Sequence, residues 1–156
     1  GLLLFPNPLW VLLIPLNYVI DRFVLSLGLK REHVFDDKAE QKSFLDHTGW
    51  KICIAGFAAD FIGASIIIFR DLYQPFFPQE IILAINSSVY GTPFSSAAGL
   101  IVFLLAILIA GISIFLFDRH ILTKAGLQKH TAVRIAVLMA VITAPYLILI
   151  PTNIFY

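Results

Sequence analysis

Four apolar runs divide the chain, and each is about as long as a helix that crosses the hydrocarbon core of a bilayer. They cover residues 2–20, 51–69, 97–117 and 132–150. A spanning helix needs about 20 apolar residues. The chain is 59% hydrophobic and 13% charged, whereas about a quarter of the residues of soluble domains are charged. The sequence therefore predicts an all-α integral membrane protein with four transmembrane helices in a single domain over residues 1–156.

A repeated pattern joins the first run to the second and the third run to the fourth. Residues 21–29 read Asp-Arg-x-Val-Leu-Ser-x-Gly-Leu, and residues 118–127 read Asp-Arg-x-Ile-Leu-Thr-x-x-Gly-Leu. Each copy is followed by His-Thr, two further residues, a cation and isoleucine. The pattern predicts two parallel helix-loop-helix repeats. The predicted segments are repeat unit 1 (1–69), an outer loop (70–98) and repeat unit 2 (99–156).

Basic residues are concentrated in two of the three connections. Residues 21–51 contain six Lys and Arg side chains and residues 118–134 contain four, whereas residues 70–98 contain one. Cytoplasmic loops are enriched in Lys and Arg. We therefore expect both repeated loops to be cytoplasmic and both termini to lie outside, in a membrane of the plasma or inner membrane type. The net charge of +1 does not indicate a nucleic-acid partner.

The first connection has apolar residues at a helical spacing between residues 30 and 46. This spacing predicts a short amphipathic helix on the membrane surface. On such a helix, four possible metal ligands would share one face. These weak candidates are His33, Asp36, Asp37 and Glu40. Because Lys38 and Lys42 are interleaved with them, a solvated charged face explains the same residues, and we predict no metal and no other cofactor.

Asp60 is the formal charge that lies deepest in an apolar run. It follows Lys51 by nine residues, or about 13 Å along a helix, which places it near the bilayer midplane. An ionised carboxylate there costs several kcal/mol. We therefore expect a group that is protonated or paired, or that faces water or a partner helix. Asn17 and Thr143, each two residues from a proline, are the other candidates for an intramembrane polar site.

The repeated pattern also brings Asp, Arg and His together at the predicted cytoplasmic mouth. The two clusters are Asp21, Arg22 and His47 in the first unit, and Asp118, Arg119 and His130 in the second. Such clusters could gate a path or hold a lipid phosphate. The alternative is structural: the Arg side chains anchor the helices at the interface, while Thr48 and Thr131 cap the returning helices.

Small residues mark helix faces that another helix can approach closely. One set recurs every four residues in the fourth run, and another lies beside Asp60 in the second run. The sets are Ala132, Ala136, Ala140 and Ala144, and Ala55, Ala59 and Gly63. These faces predict self-association or assembly with other membrane subunits, in addition to contact with the lipid bilayer.

Three function classes remain open from the sequence. The polar residues inside the spans favour a small transport or channel-type protein that moves an ion or small solute, as an oligomer. The small-residue faces also suit a non-catalytic subunit of a larger membrane complex. The third class is a membrane enzyme that acts on lipid headgroups at the cytoplasmic face. Because the sequence carries none of the common nucleophile, metalloprotease or nucleotide-binding motifs, it favours a protein that is not an enzyme.

Overall fold

The computed structural model describes residues 10–150, and within that range every regular element is helical. The α-helices are α1 (Trp10–Arg31), α2 (Lys38–Ile68), α3 (Gln79–Tyr90), α4 (Ala97–Lys124) and α5 (Lys129–Thr143). Short 3₁₀-helices cover Arg70–Leu72, Gln74–Phe76 and Tyr146–Leu149. Four segments are long and apolar enough to cross a membrane: α1, α2, α4, and α5 with the turn that follows it. The prediction of four helices of membrane-spanning length is confirmed.

The first helix differs from the predicted first span in its position along the chain. The predicted run begins at residue 2, and residues 2–9 lie outside the described residues. α1 then continues ten residues beyond Asp21, to Arg31. The Asp-Arg pair does not end the helix, because Asp21 is buried in the protein and only 3% exposed. The prediction that this helix ends at its first charged residue is therefore wrong.

A tight turn connects α1 to α2. His33 adopts a left-handed conformation with φ of 50°. The amides of His33 and Val34 donate to the carbonyl groups of Lys30 and Leu29 at 3.2 and 3.1 Å. This pair of bonds is the Schellman motif that closes many helices. Asp37 then caps α2, since its side chain accepts the backbone N–H two residues ahead at 3.0 Å.

α2 is one continuous helix of 31 residues, about 46 Å long. Residues 38–46 are its first turns, so the amphipathic surface helix predicted in this connection is not found as a separate element. The physical reason is that no residue between Asp37 and Ile68 breaks the helix once the cap has started it. Thr48, predicted as an N-cap, lies within α2 and is 1% exposed.

A second Schellman motif closes α4. Gly126 has φ of 102°, a conformation that glycine adopts without a Cβ penalty. The amide of Leu127 donates to the carbonyl of Leu122 at 3.2 Å.

α5 follows, with Gln128 rather than Thr131 at its N-cap position. It ends at Thr143 because a residue before proline, here Ala144, disfavours the helical conformation.

The four long helices form a bundle in which α2 packs against α4, α4 against α5, and α1 against both α2 and α5. α2 and α4 approach each other closely at Gly63, which lies against the Ala106 carbonyl and Ala110 of α4. Ala132 and Ala136 of α5, and Ala144 directly after it, are buried within the chain, and Ala140 is partly buried. These small residues therefore serve helix packing inside the protein.

α3 covers the opposite end of the bundle and packs against α4. Arg70 holds it there: its Nε donates to Asn86 Oδ1 at 3.0 Å, and it also bonds the Tyr90 hydroxyl. The Tyr73 hydroxyl donates to the Ile66 carbonyl at 2.8 Å, and burial raises the pKa of this phenol. The basic residue of the predicted outer loop therefore has a structural role.

Candidate intramembrane ion site

Three carboxyl groups from three different helices point into the bundle. They belong to Asp21 of α1, Asp60 of α2 and Asp118 of α4. Asp21 is 3% exposed and Asp118 is 1% exposed, while Asp60 is partly buried. No Lys or Arg bonds any of them among the described residues. Acidic side chains are almost never this buried without a partner.

The helical repeat explains why Asp21 and Asp118 face inward. Residues three or four positions apart share a helix face. Asp21 is followed at these spacings by Val24 and Leu25, which are 3% and 0% exposed. Asp118 lies four residues before Leu122, which is also fully buried. The two carboxyl groups are therefore part of the inward-facing stripes of α1 and α4.

The Asp21 carboxyl reaches across to α2. A Cβ atom added at Gly56 would lie 3.6 Å from Asp21 Oδ2. Gly56 is four residues, or one helical turn, before Asp60. Asp21 also lies close enough to both Asp60 and Asp118 for its charge to act on each of theirs. Asp21 is thus the common neighbour of the other two carboxyl groups.

Several oxygens of this carboxyl cluster have no hydrogen-bond donor among the described residues. They are Asp21 Oδ2, Asp60 Oδ1, and both oxygens of Asp118. A buried polar atom without a partner costs about 1–3 kcal/mol, and more when it is charged. Like charges in a medium of low dielectric add repulsion. A carboxyl group that binds a proton loses its charge, and protonation therefore lowers this cost.

Of the other two predicted intramembrane polar residues, Thr143 bonds within its own helix and Asn17 lies near Asp21 along α1. The Thr143 hydroxyl donates to the Met139 carbonyl of its own helix at 2.9 Å. The hydroxyl of Tyr146 likewise donates to a backbone carbonyl, that of Val141, at 2.6 Å. Asn17 is partly buried on α1, one turn before Asp21. Of the three predicted residues, the structure therefore places Asp60 in the carboxyl cluster and Asn17 on the same helix row as Asp21.

The residues of the two predicted cytoplasmic clusters are distributed differently from the sequence grouping. Arg22 turns away from Asp21 and pairs with Asp46 of α2, with Nη2 and Oδ1 2.5 Å apart. Its other terminal nitrogen donates to the Tyr18 hydroxyl at 3.2 Å. The remaining members, His47, Arg119 and His130, are exposed. The structure instead buries both aspartates of the repeated pattern, and the charge of Asp21 acts on Asp60 and on Asp118.

The weak metal candidates do not share a helix face. His33 is the left-handed residue of the turn, and Asp37 is the N-cap of α2. Asp36 therefore lies before the helix, and only Glu40 lies within it. Within residues 10–150, no three His, Cys, Asp or Glu side chains are close enough to hold one metal ion. The i, i+3, i+4, i+7 spacing has no effect here because the helix begins after most of these residues.

Two neighbours of the cluster, Cys53 and Gly56, are difficult to recognise as such from the sequence. Cys53 is buried in α2, near enough to Asp21 to be affected by its charge. Gly56 faces the Asp21 carboxyl, since a Cβ atom added there would lie at van der Waals distance from Asp21 Oδ2. Both residues precede Asp60 on its own helix, by seven and four positions. The helical spacing could have marked them as its neighbours.

Comparisons of the chain with protein-family models, curated proteins and solved structures give no significant match.

Proposed function

We propose that the protein is a membrane transport protein that moves protons or a monovalent cation through the bundle. The observation that supports this proposal is the carboxyl cluster of Asp21, Asp60 and Asp118, whose buried oxygens lack donors among the described residues. Buried carboxyl groups inside a membrane bundle are rare and costly, and they mark ion pathways and proton relays. A purely structural carboxyl would be expected to use its oxygens in helix-to-helix hydrogen bonds.

In the proposed mechanism, Asp21 passes the ion between the other two groups. The charge of Asp21 acts on both Asp60 and Asp118. An ion bound at one carboxyl group therefore weakens the electrostatic repulsion between neighbouring groups and changes the ion affinity of the neighbouring carboxyl group. Conduction requires sites that bind the ion strongly enough for entry but weakly enough for release. The ion would move along the cluster by exchange between neighbours.

The proposal includes insertion of the four long helices into a membrane, with the two hairpin turns cytoplasmic and both termini outside. The outer surface supports insertion, because large apolar side chains such as Val11, Phe61 and Leu108 are more than half exposed. The distribution of Lys and Arg supports the orientation. Self-association remains part of the proposal.

The two hairpins support the proposed parallel repeats. Each first helix closes with a Schellman motif, at His33 in one hairpin and at Gly126 in the other. Asp21 precedes His33 by 12 residues, and Asp118 precedes Gly126 by 8. The difference of four residues is about one helical turn. The two aspartates therefore occupy the same helix face relative to their turns.

The other two function classes receive less support. A subunit that assembles through small-residue faces needs those faces free, whereas Gly63, Ala106 and Ala110 pack against each other inside the chain. An enzyme acting on headgroups would use the predicted Arg and His clusters, but Arg22 is engaged with Asp46. The carboxyl cluster supports transport over the other two classes, because buried carboxyl groups mark ion pathways and proton relays.

The test is ion flux in proteoliposomes that carry the purified protein and a dye for internal pH, with Na⁺ and K⁺ gradients applied in turn. We expect flux in the wild type and a decrease of about tenfold or more in Asp118→Asn, since Asn keeps the size of the side chain but cannot titrate. Asp36→Asn is the matched control, because Asp36 is exposed in the turn before α2 and its variant should retain flux.

The combined variant Asp21→Asn, Asp60→Asn, Asp118→Asn decides the question. If it folds, as shown by an unchanged helical circular dichroism spectrum, and still moves ions as fast as the wild type, the proposed function is wrong.

A further inference from the structure

A groove separates α1 and α5 near the hairpin turns. Its volume is about 400 Å³, within the range of ligand pockets. One end is polar and is lined by Arg31, Glu32 and Arg134, and the other end is apolar and is lined by Val137 and Val141. Along α5, Arg134 and Val141 are about 10 Å apart. The groove therefore changes from charged to apolar along the helix axis.

Gly28 forms part of the groove where α1 and α5 approach most closely. A Cβ atom added there would lie 3.1 Å from Ile135 Cγ2 and 3.5 Å from a methyl group of Leu138. Because glycine has no side chain, the two helices meet at this point and close the floor of the groove. Above this floor the apolar wall stays open, since Val137 and Val141 are 48% and 60% exposed.

The polar end carries an excess of positive charge. Arg134 Nη1 donates to Glu32 Oε2 at 3.3 Å, and the Glu32 side chain is largely buried while that of Arg134 is 68% exposed. Glu32 therefore compensates one guanidinium and orients it. Arg31, the last residue of α1, is exposed beside them and forms no ion pair among the described residues. Two Arg side chains against one Glu leave this end attractive to anions.

We propose that this groove binds an anionic phospholipid, with the phosphate at Arg31 and Arg134 and an acyl chain along Val137 and Val141. Guanidinium groups form paired hydrogen bonds to phosphate, and basic pockets between membrane helices at the cytoplasmic side suit acidic headgroups. Charge complementarity at one end and an open apolar wall at the other select a lipid over a small anion or an apolar peptide. The inference rests on the proposed membrane insertion and is independent of ion transport.

The experiment is native mass spectrometry of the full chain in detergent with phosphatidylglycerol or phosphatidylcholine added at equal concentration. We expect the wild type to retain phosphatidylglycerol preferentially. Arg31→Gln should lower its retention about tenfold, and because Arg31 forms no ion pair on the described residues, this change leaves the Glu32 pair intact. Lys124→Gln is the matched control, since Lys124 is exposed at the end of α4 and does not line the groove. Equal retention of both lipids, or no effect of Arg31→Gln, overturns the proposal.

A second pair of variants tests the apolar wall. Val141→Trp should fill the groove and lower phosphatidylglycerol retention, whereas Val19→Trp should not, because Val19 is also 60% exposed but lies outside the groove. If a large excess of inorganic phosphate displaces the lipid completely and Val141→Trp has no effect, the groove is an anion site and the lipid proposal is wrong. Ion flux is not measured in this experiment, so a failure here leaves the proposed function untouched.

Discussion

Replacing Gly63 by alanine tests the close contact between α2 and α4. A Cβ atom at this position would meet the Ala106 carbonyl oxygen directly, and it would lie 2.7 Å from Ala110 Cβ and 3.1 Å from Ala110 N. Ordinary van der Waals contacts between carbon atoms are about 3.5–4.0 Å. The obstacle is helix backbone, which cannot rotate away as a side chain can. α2 and α4 must therefore separate along the largest interface of the bundle.

The expected destabilisation is about 1–2 kcal/mol. Overpacking of a close contact costs about 1–3 kcal/mol, and the higher helix propensity of alanine returns up to about 1 kcal/mol. Gly111→Ala is the matched control within the same bundle. Its added Cβ would have its nearest neighbour, the Ala140 carbonyl oxygen, at 3.9 Å. This variant should be neutral or more stable by up to about 1 kcal/mol.

The measurement is reversible unfolding of both variants in mixed detergent micelles, followed by helical circular dichroism. We expect the free energy of unfolding of Gly63→Ala to fall below that of Gly111→Ala by about 2 kcal/mol. If both glycines tolerate alanine equally, α2 and α4 do not pack as described, and the position of Asp60 relative to α4 would be wrong as well.

Two further predictions concern the hairpin turns. Both positions are left-handed, and a Cβ at Gly126 would contact nothing within 4 Å. His33→Gly should therefore stabilise the protein by about 0.5–1 kcal/mol, and Gly126→Ala should destabilise it by about 1 kcal/mol. The same unfolding assay measures both variants, and a destabilised His33→Gly or a stabilised Gly126→Ala would refute the assignment of these caps. In a variant with Cys53→Ala, an impermeant thiol reagent added outside intact cells should label Asn86→Cys and not Lys38→Cys, whereas external labelling at position 38 would contradict the proposed orientation.

The sequence predicts the four long helices well because a run of about 20 apolar residues has few alternatives to a spanning helix. It predicts the end of α1 poorly. The sequence suggests that the chain leaves the membrane at Asp21, but the helical pattern of buried residues continues through Leu25 and Leu29. The true end is closed by His33 in the left-handed conformation, and a histidine carries a much weaker signal for this role than the glycine at position 126.

The candidate site was predictable in part. Asp60 is visible because it is a lone charge in an apolar run. Asp21 and Asp118 are also visible, as members of the repeated pattern, but their neighbours Arg22 and Arg119 suggest ion pairs at the interface. Only the packing of α1 and α4 shows that each aspartate faces inward while Arg22 turns outward to Asp46. Contacts between residues distant in sequence depend on how helices cross, which local spacing does not specify.

Infrared difference spectroscopy of the carboxyl groups tests the central claim most directly, namely that Asp21, Asp60 and Asp118 bind exchangeable protons or cations inside the bundle. The sample is the wild-type protein in lipid, compared with the variant in which all three residues are Asn. We expect the wild type alone to show the C=O stretch of protonated carboxyl groups in a dry environment, and to lose intensity there when the pH rises or the transported cation is added. A wild-type spectrum identical to that of the variant under all these conditions would contradict the account.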